Sequence, residues 1–155
     1  MKRLTPVAVL LCLAAAPCCL AGIPTNRFTI SLRGEYLAVR GERLVLGQST
    51  LGSVSDNKDA ADRWYILGTQ VKSSTGGGYL AYDPKGADNA VTLKAAPGEG
   101  TEWSIAVPRK EEQKAVIRAA SGSKKGWYLT VSEGRLILAE DPPQKLQAER
   151  IWEHK

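Results

Sequence analysis

Cysteine and histidine are scarce in this chain of 155 residues, which contains three cysteines and one histidine. Cys12, Cys18 and Cys19 all lie in the first 21 residues, so the rest of the chain has no thiol for catalysis, a disulfide or a metal site. His154 precedes the C-terminal residue, where a side chain is more often solvated than held as a general base. We therefore expect no Ser-His-Asp or Cys-His arrangement. The protein is predicted not to be an enzyme and to need no metal or cofactor.

A helical stripe and a long run of one charge sign are also missing. Residues 145–150 are compatible with one helical turn, but no longer segment repeats its apolar residues at helical spacing. The basic residues do not run beyond pairs such as Arg109-Lys110 and Lys124-Lys125. Nucleic-acid-binding proteins cluster positive charge on one face. We predict a protein without a core helix that does not bind nucleic acid.

The N-terminal segment has the composition of an export signal. Two basic residues precede a largely apolar run at residues 7–20, which is shorter than the roughly 20 apolar residues of a membrane-spanning helix. Small residues precede a cut after Ala21, as signal peptidase requires. We predict that residues 1–21 are removed. Residues 22–155, with 19 basic and 16 acidic side chains, would then be secreted or periplasmic.

A lipoprotein signal is the alternative interpretation of the same segment. In that case Cys18 or Cys19 is acylated and becomes the first residue of the mature protein. The residues before these cysteines match such a signal poorly, since Pro17 or Cys18 stands where a small residue is usual. Contact with a membrane is therefore expected only if Cys18 or Cys19 carries a lipid.

A motif recurs three times in the rest of the chain. Residues 126–138 read Gly-Trp-Tyr-Leu-Thr-Val-Ser-Glu-Gly-Arg-Leu-Ile-Leu, and diverged copies occupy residues 34–46 and 77–93. Each copy alternates apolar and polar residues on both sides of a turn, which is the pattern of a β-hairpin with one buried face. A tryptophan follows the motif tyrosine by 28 residues in the first copy and by 24 in the other two. This period predicts three units of four strands each.

The alternation of apolar and polar residues predicts twelve short strands. In chain order they are residues 28–32, 36–39, 43–46, 64–67, 69–72, 79–82, 90–93, 103–106, 115–118, 128–131, 135–138 and 151–154. A unit with one apolar face cannot bury that face alone, so the three units must close on one another. The tryptophans that recur with the units, Trp64, Trp103 and Trp152, are predicted to lie in the shared core.

These units resemble the repeats of the β-trefoil superfamily. The Gly-x-Tyr-Leu-x-Val-like second strand and the Trp-x-Ile-like fourth strand carry the resemblance, which extends from about Phe28 to the C-terminus. It implies one domain at residues 22–155, with a six-stranded barrel closed by three hairpins. Within the superfamily, the strands are most similar to fascin-like domains and to mycocypin-type fungal protease inhibitors. The Gln-x-Trp of ricin-type lectins is absent, because Asp62, Thr101 and Arg150 stand two residues before the tryptophans.

β-Trefoils bind sugars or proteins through their loops, so the fold alone does not choose between these functions. Our first hypothesis is an exported, monomeric, non-catalytic protein that binds a glycan in the manner of a lectin. Trp127 has no aromatic counterpart in the other two units, and an exposed indole can stack on a sugar ring. Trp127, Lys124 and Lys125 form the first candidate site, and Tyr65 is a weaker candidate. Alternatively, Trp127 covers the edge of a hairpin.

The connection at residues 47–63 is longer than its counterparts in the other units. Loops longer than about 12 residues are often functional. The alternative function is a protease inhibitor, or another module that binds an extracellular protein, with Leu51 or Val54 as the anchoring side chain. Asp56 and Asn57 would belong to the same contact. An insertion without a function is the other interpretation of this loop.

Overall fold

The computed structural model describes residues 27–48, 61–112 and 114–151. These ranges form twelve β-strands and no helix, as the predicted all-β class requires. The strands are β1 (Arg27–Leu32), β2 (Glu35–Arg40), β3 (Arg43–Gly47), β4 (Trp64–Leu67), β5 (Gln70–Ser73), β6 (Tyr79–Tyr82), β7 (Val91–Lys94), β8 (Trp103–Ile105), β9 (Ala115–Ala119), β10 (Tyr128–Ser132), β11 (Arg135–Ala139) and β12 (Gln147–Arg150). Accordingly, this part of the chain offers no helix that is long and apolar enough to cross a membrane.

Six strands follow one another around a barrel, namely β1, β4, β5, β8, β9 and β12. Antiparallel ladders join β1 to β4, β4 to β5, β8 to β9, β9 to β12 and β12 to β1. Between β5 and β8, the backbone N–H of Trp103 donates to the carbonyl of Thr69 over 2.7 Å. The other six strands form the hairpins β2–β3, β6–β7 and β10–β11. A bridge between Ala90 and Ile137 joins the second and third hairpins.

One hydrophobic core takes side chains from all three units, β1–β4, β5–β8 and β9–β12. The leucines of the repeat motif, Leu37, Leu80 and Leu129, are fully buried. Trp64 and Trp103 are buried with them, as predicted. Burying one large aromatic side chain removes about 150–250 Å² from water, so these two residues contribute heavily to the core.

The buried indoles also tie the fourth strand of a unit to its second strand. Trp64 Nε1 donates to the carbonyl of Leu37 over 2.9 Å, and Trp103 Nε1 donates to the carbonyl of Leu80 over 2.9 Å. The motif spacing between leucine and tryptophan therefore encodes a hydrogen bond as well as apolar contact. A buried indole N–H needs such a partner, because leaving it unpaired costs free energy.

In the third unit, the carbonyl of the motif leucine accepts a hydrogen bond from a backbone N–H group. The backbone N–H of Leu146 donates to the carbonyl of Leu129 over 3.0 Å, and both Leu146 and Ala148 are fully buried. The predicted helical turn at 145–150 is therefore wrong, since a strand occupies most of it. Of the predicted strand at residues 151–154, only Ile151 is described and it lies outside any strand; the rest, with the predicted burial of Trp152, lies outside the described residues. The last strand that the structure describes is Gln147–Arg150, and the side chains at 146 and 148 alternate into the core. The other eleven strands were predicted to within one residue at each end.

Candidate functional site

Trp127, the first candidate for stacking on a sugar, ends the loop between β9 and β10. Its side chain is half-buried and packs against the hydrophobic core. Its backbone N–H donates to the carbonyl of Lys124 over 3.0 Å, and its carbonyl accepts from the N–H of Ala119 over 2.9 Å. This geometry favours the interpretation that Trp127 covers a hairpin edge, since stacking needs an exposed ring face. A direct contact between Trp127 and a ligand stays a prediction.

Lys124 is buried, with 4% of its surface exposed. Its ammonium donates to the carbonyl of Asp83 over 3.3 Å and, at close range, to the carbonyl of Asp88. Both acceptors belong to the loop between β6 and β7 in the second unit. These bonds give Lys124 a structural role in joining the second and third units. Lys125, by contrast, is exposed.

The neighbours of Lys124 reinforce the same junction. The backbone N–H and the hydroxyl of Ser123 both donate to the carbonyl of Pro84, over 3.0 Å and 3.1 Å. Gly122 has a φ of 74°, and a Cβ there would lie 2.4 Å from the carbonyl oxygen of Pro84. The third-unit loop therefore closes tightly over the second-unit loop, and only glycine fits at the closest approach.

Asp83 stabilises the second-unit loop at this junction. Its carboxylate accepts from the backbone N–H of Lys85 over 3.0 Å. The backbone N–H groups of Lys85 and Gly86 hold the pKa of Asp83 below its usual value of 3.8, and the charge of Lys124 lowers it further. A carboxylate that receives such bonds is favoured in its charged form.

This depressed pKa predicts a contribution of Asp83 to acid sensitivity. Since the folded pKa lies below the unfolded value, the contribution is fully present above about pH 4 and is lost as the pH falls through the folded pKa. We expect Asp83→Asn to lower stability near neutral pH but to flatten the decline of the melting temperature between about pH 5 and pH 2. The measurement is thermal unfolding across that pH range, with Asp141→Asn as the exposed control. Equal slopes for Asp83→Asn and the wild type would contradict the expectation.

Tyr65, the weaker candidate, is half-buried in the barrel strand β4. Its cross-strand neighbours are Arg27 on β1 and Lys72 on β5. The Lys72 ammonium lies 5.5 Å from the centroid of the Tyr79 ring. Tyr65 therefore belongs to a barrel face in the first unit, whereas the other three candidates share one loop of the third unit.

Some predictions concern residues outside the part of the chain that the structure describes. They include the protein-contact candidates Leu51, Val54, Asp56 and Asn57, and the export signal at residues 1–21. The inhibitor-like function and the export signal therefore stay predictions. Among the described residues, no group of three or more His, Cys, Asp or Glu side chains is placed to hold a metal ion.

An open groove between the first and second units was not predicted from the sequence. Its volume is about 770 Å³. The lining residues, which define what we call the glycine groove, are Val39, Gly41, Glu42, Thr75, Gly76, Gly77, Gly78, Leu93 and Ala95. The available signal was the run of three glycines at residues 76–78, which turn chemistry before a strand also explains. The opposite wall comes from the β2–β3 turn, which is distant in sequence.

One wall of the glycine groove contains two adjacent glycines at positions that have no room for a side chain. A Cβ at Gly77 would lie 2.8 Å from a methyl carbon of Val39. Gly78 has a φ of 103°, and a Cβ there would lie 2.4 Å from the carbonyl oxygen of Lys94. Gly78 is buried and its carbonyl accepts from the backbone N–H of Ser73 over 2.9 Å, whereas the neighbouring Gly76 is exposed at the groove.

Comparisons with known proteins support the architecture. No family model matches the chain, and no curated protein does. A solved structure, "SeviL bound to asialo-GM1 saccharide", matches with a TM-score of 0.55 and 13% identity over 84% of this chain and 98% of that chain. The chain is a β-trefoil. A second structure, the Macrolepiota procera ricin B-like lectin in complex with lactose, has a TM-score of 0.46 and 18% identity over 82% of this chain and 87% of that chain.

This trefoil assignment confirms the predicted fold class. At these identities the likeness concerns the fold alone, because a trefoil accommodates many unrelated functions. The similarity to fascin-like and mycocypin-type trefoils stays a prediction from the strand motifs. Evidence about function must therefore come from the grooves and side chains of this chain.

Proposed function

We propose that this trefoil is an exported, non-catalytic carbohydrate-binding protein and that the glycine groove is its glycan site. The observation that carries the proposal is an open groove of about 770 Å³ with polar side chains and exposed backbone in its walls. Ligand sites are typically clefts of about 300–1,000 Å³ with a few well-placed polar groups. The SeviL structure, which has the same fold, contains a bound saccharide. The apolar N-terminal run supports export.

The groove walls offer the groups that a sugar requires. The Glu42 carboxylate, which is exposed, accepts hydrogen bonds from sugar hydroxyls. The Thr75 hydroxyl can donate and accept, and it is held by Ser73 Oγ at 3.0 Å from its Oγ1. Leu93, which is half-buried, supplies an apolar surface for the C–H face of a sugar ring, while Val39 is 6% exposed and contributes little. The groove thus offers polar groups on one side and apolar groups on the other, which matches the hydroxyl groups and the C–H face of a pyranose ring.

A glycan array with quantitative follow-up tests this proposal. We expect the purified protein to bind at least one neutral glycan, and Glu42→Gln to weaken that binding about tenfold, because a charge-assisted hydrogen bond contributes about 1.5–3 kcal/mol. Glu133→Gln, in the β10–β11 turn of the third unit, is the matched control and should bind like the wild type. Thermal unfolding of each variant separates lost binding from lost folding.

Two further outcomes would change the proposal. An array without any bound glycan would exclude the carbohydrate-binding function at the concentrations tested. Binding that persists in Glu42→Gln and is lost in a folded Trp127→Ala variant would move the site to the third-unit loop. Trp127→Ala needs its own stability measurement, because this side chain packs against the core.

A further inference from the structure

A second groove lies on the outside of the barrel, where β1, β12 and β9 are adjacent. Ser31 on β1 pairs with Gln147 on β12, and Gln147 pairs with Val116 on β9. All three side chains are half-buried. The next row of the same strands contains Ile30, Ala148 and Ala115, which are buried in the interior. Since successive strand residues face opposite sides, the row of Ser31, Gln147 and Val116 forms the outer surface.

This outer surface is concave and its ionisable lining residues are all basic. The groove has a volume of about 520 Å³. Its lining residues, which define what we call the basic groove, are Ser31, Leu32, Arg33, Gly34, Lys114, Val116, Pro143, Gln144, Lys145 and Gln147. Arg33, Lys114 and Lys145 contribute three positive charges, and none of the lining residues is acidic. Arg33 and Lys114 are exposed, so their charged ends are accessible to a ligand.

A fourth cation is held at the edge of the basic groove by an aromatic ring. The Arg118 guanidinium lies 4.6 Å from the centroid of the Tyr128 ring, and the Lys145 ammonium lies 4.1 Å from the same centroid. A ring face attracts each cation, although the two cations repel each other. The ring thus concentrates positive charge beside the groove before any ligand arrives.

The acidic residues near the basic groove neutralise little of this charge. Asp141 lies 3.9 Å from the Lys145 ammonium, but its side chain is 92% exposed. Such exposed pairs contribute about 0–1 kcal/mol and leave the cation accessible. Glu149 lies on the outward side of β12, two residues beyond Gln147 and opposite Thr29. Glu35 on β2 is exposed and lies opposite the lining residue Leu32. The lining of the groove itself therefore contains three basic side chains and no acidic one.

We propose that the basic groove binds the sulfate or carboxylate groups of an acidic saccharide. This inference rests on the carbohydrate-binding function proposed above and adds a second site with a different ligand charge. The three strands span only about 10 Å across, which suits one or two sugar residues better than a nucleic-acid duplex. The glycine groove contains Glu42 and would repel the same anionic groups, so the two grooves are expected to select neutral and acidic sugars separately.

Calorimetry with a sulfated heparin hexasaccharide tests this site. We expect binding by the full-length protein that weakens as salt is raised from about 0.05 to 0.3 M, because the contact is electrostatic. The double variant Arg33→Gln/Lys114→Gln should lose at least tenfold in affinity. Arg40→Gln/Arg109→Gln removes two exposed charges outside the groove and should lose less than threefold. Both replaced groove residues are exposed, so the variants should melt like the wild type.

Several binding results would overturn this inference. Equal affinity of the double variant and the wild type, or equal affinity for the chemically desulfated hexasaccharide, would remove the acidic-saccharide site. Equal affinity for single-stranded DNA of matched charge would also overturn it, by showing a general polyanion surface. If a neutral glycan binds in a way that requires Glu42 and heparin does not bind, the basic groove is refuted and the proposed function stands. Heparin binding without any neutral glycan would refute the glycine groove instead.

Discussion

Asp62→Ala is expected to lower the free energy of unfolding by about 3–5 kcal/mol, because it leaves a buried guanidinium without its counter-charge. Asp62 and Arg63 are 1% and 2% exposed. The distance from Asp62 Oδ1 to Arg63 Nη1 is 3.8 Å. Burial lowers the pKa of Arg63, and the charge of Asp62 raises it in part. The carboxylate therefore offsets a desolvation cost that remains when it is removed.

Urea unfolding at neutral pH measures this effect. Asp141→Ala is the matched control, because the Asp141 side chain is 92% exposed and such surface substitutions usually change stability by less than about 0.5 kcal/mol. The double variant Asp62→Leu/Arg63→Met should recover much of the loss, since a buried ion pair can often be replaced by apolar residues of similar volume. A loss below about 1 kcal/mol in Asp62→Ala would show that Arg63 does not depend on this carboxylate.

Lys124→Ala is expected to cost about 3 kcal/mol, because hydrogen bonds of a charged group contribute about 1.5–3 kcal/mol each and the Lys124 side chain is buried. The ammonium joins Asp83 and Asp88 of the second unit to the third-unit loop. Lys125→Ala makes the same change one residue away at an exposed position. It should alter stability by less than about 0.5 kcal/mol.

Equilibrium unfolding of the two lysine variants also tests the candidate sugar site at this loop. If Lys124 served mainly to bind a ligand, the two variants would be equally stable and only glycan binding would change. If the structural role is correct, Lys124→Ala unfolds at lower urea concentration and Lys125→Ala does not. Equal stability of both variants would contradict the junction described here.

The repeat period predicted most strands because hairpin signals are local. Tyrosine, leucine and glycine recur at matching positions in all three units, and alternation sets which side faces inward. The strand β12 was missed because the spacing of Trp152 pointed to residues 151–154, whereas the buried Leu146 and Ala148 lie just before them. A leucine and an alanine carry a weaker signal than a tryptophan at the repeat spacing. The backbone bond from Leu146 to Leu129 leaves no signal in the residue types, because every residue except proline has the N–H group that it needs.

The candidate sites were harder to predict because they depend on contacts between units. Nothing in the sequence near Lys124 indicates that its ammonium reaches a loop about forty residues earlier. The exposure of Trp127 depends on how that loop closes, and the structure leaves the indole half-buried against the core. Both grooves combine walls from different units, so their lining residues share no local motif.

The sequence by itself determined the number of units, the all-β class and the inward face of the hairpins, since these follow from periodicity and turn chemistry within a few residues. Only the tertiary structure decided which loops close and which stay open. Lys124 is buried at the junction between the second and third units, and tightly packed glycines line an open groove between the first and second. The physical reason is that a groove or a buried charge depends on backbone atoms from distant segments, whose positions are set only when the barrel closes.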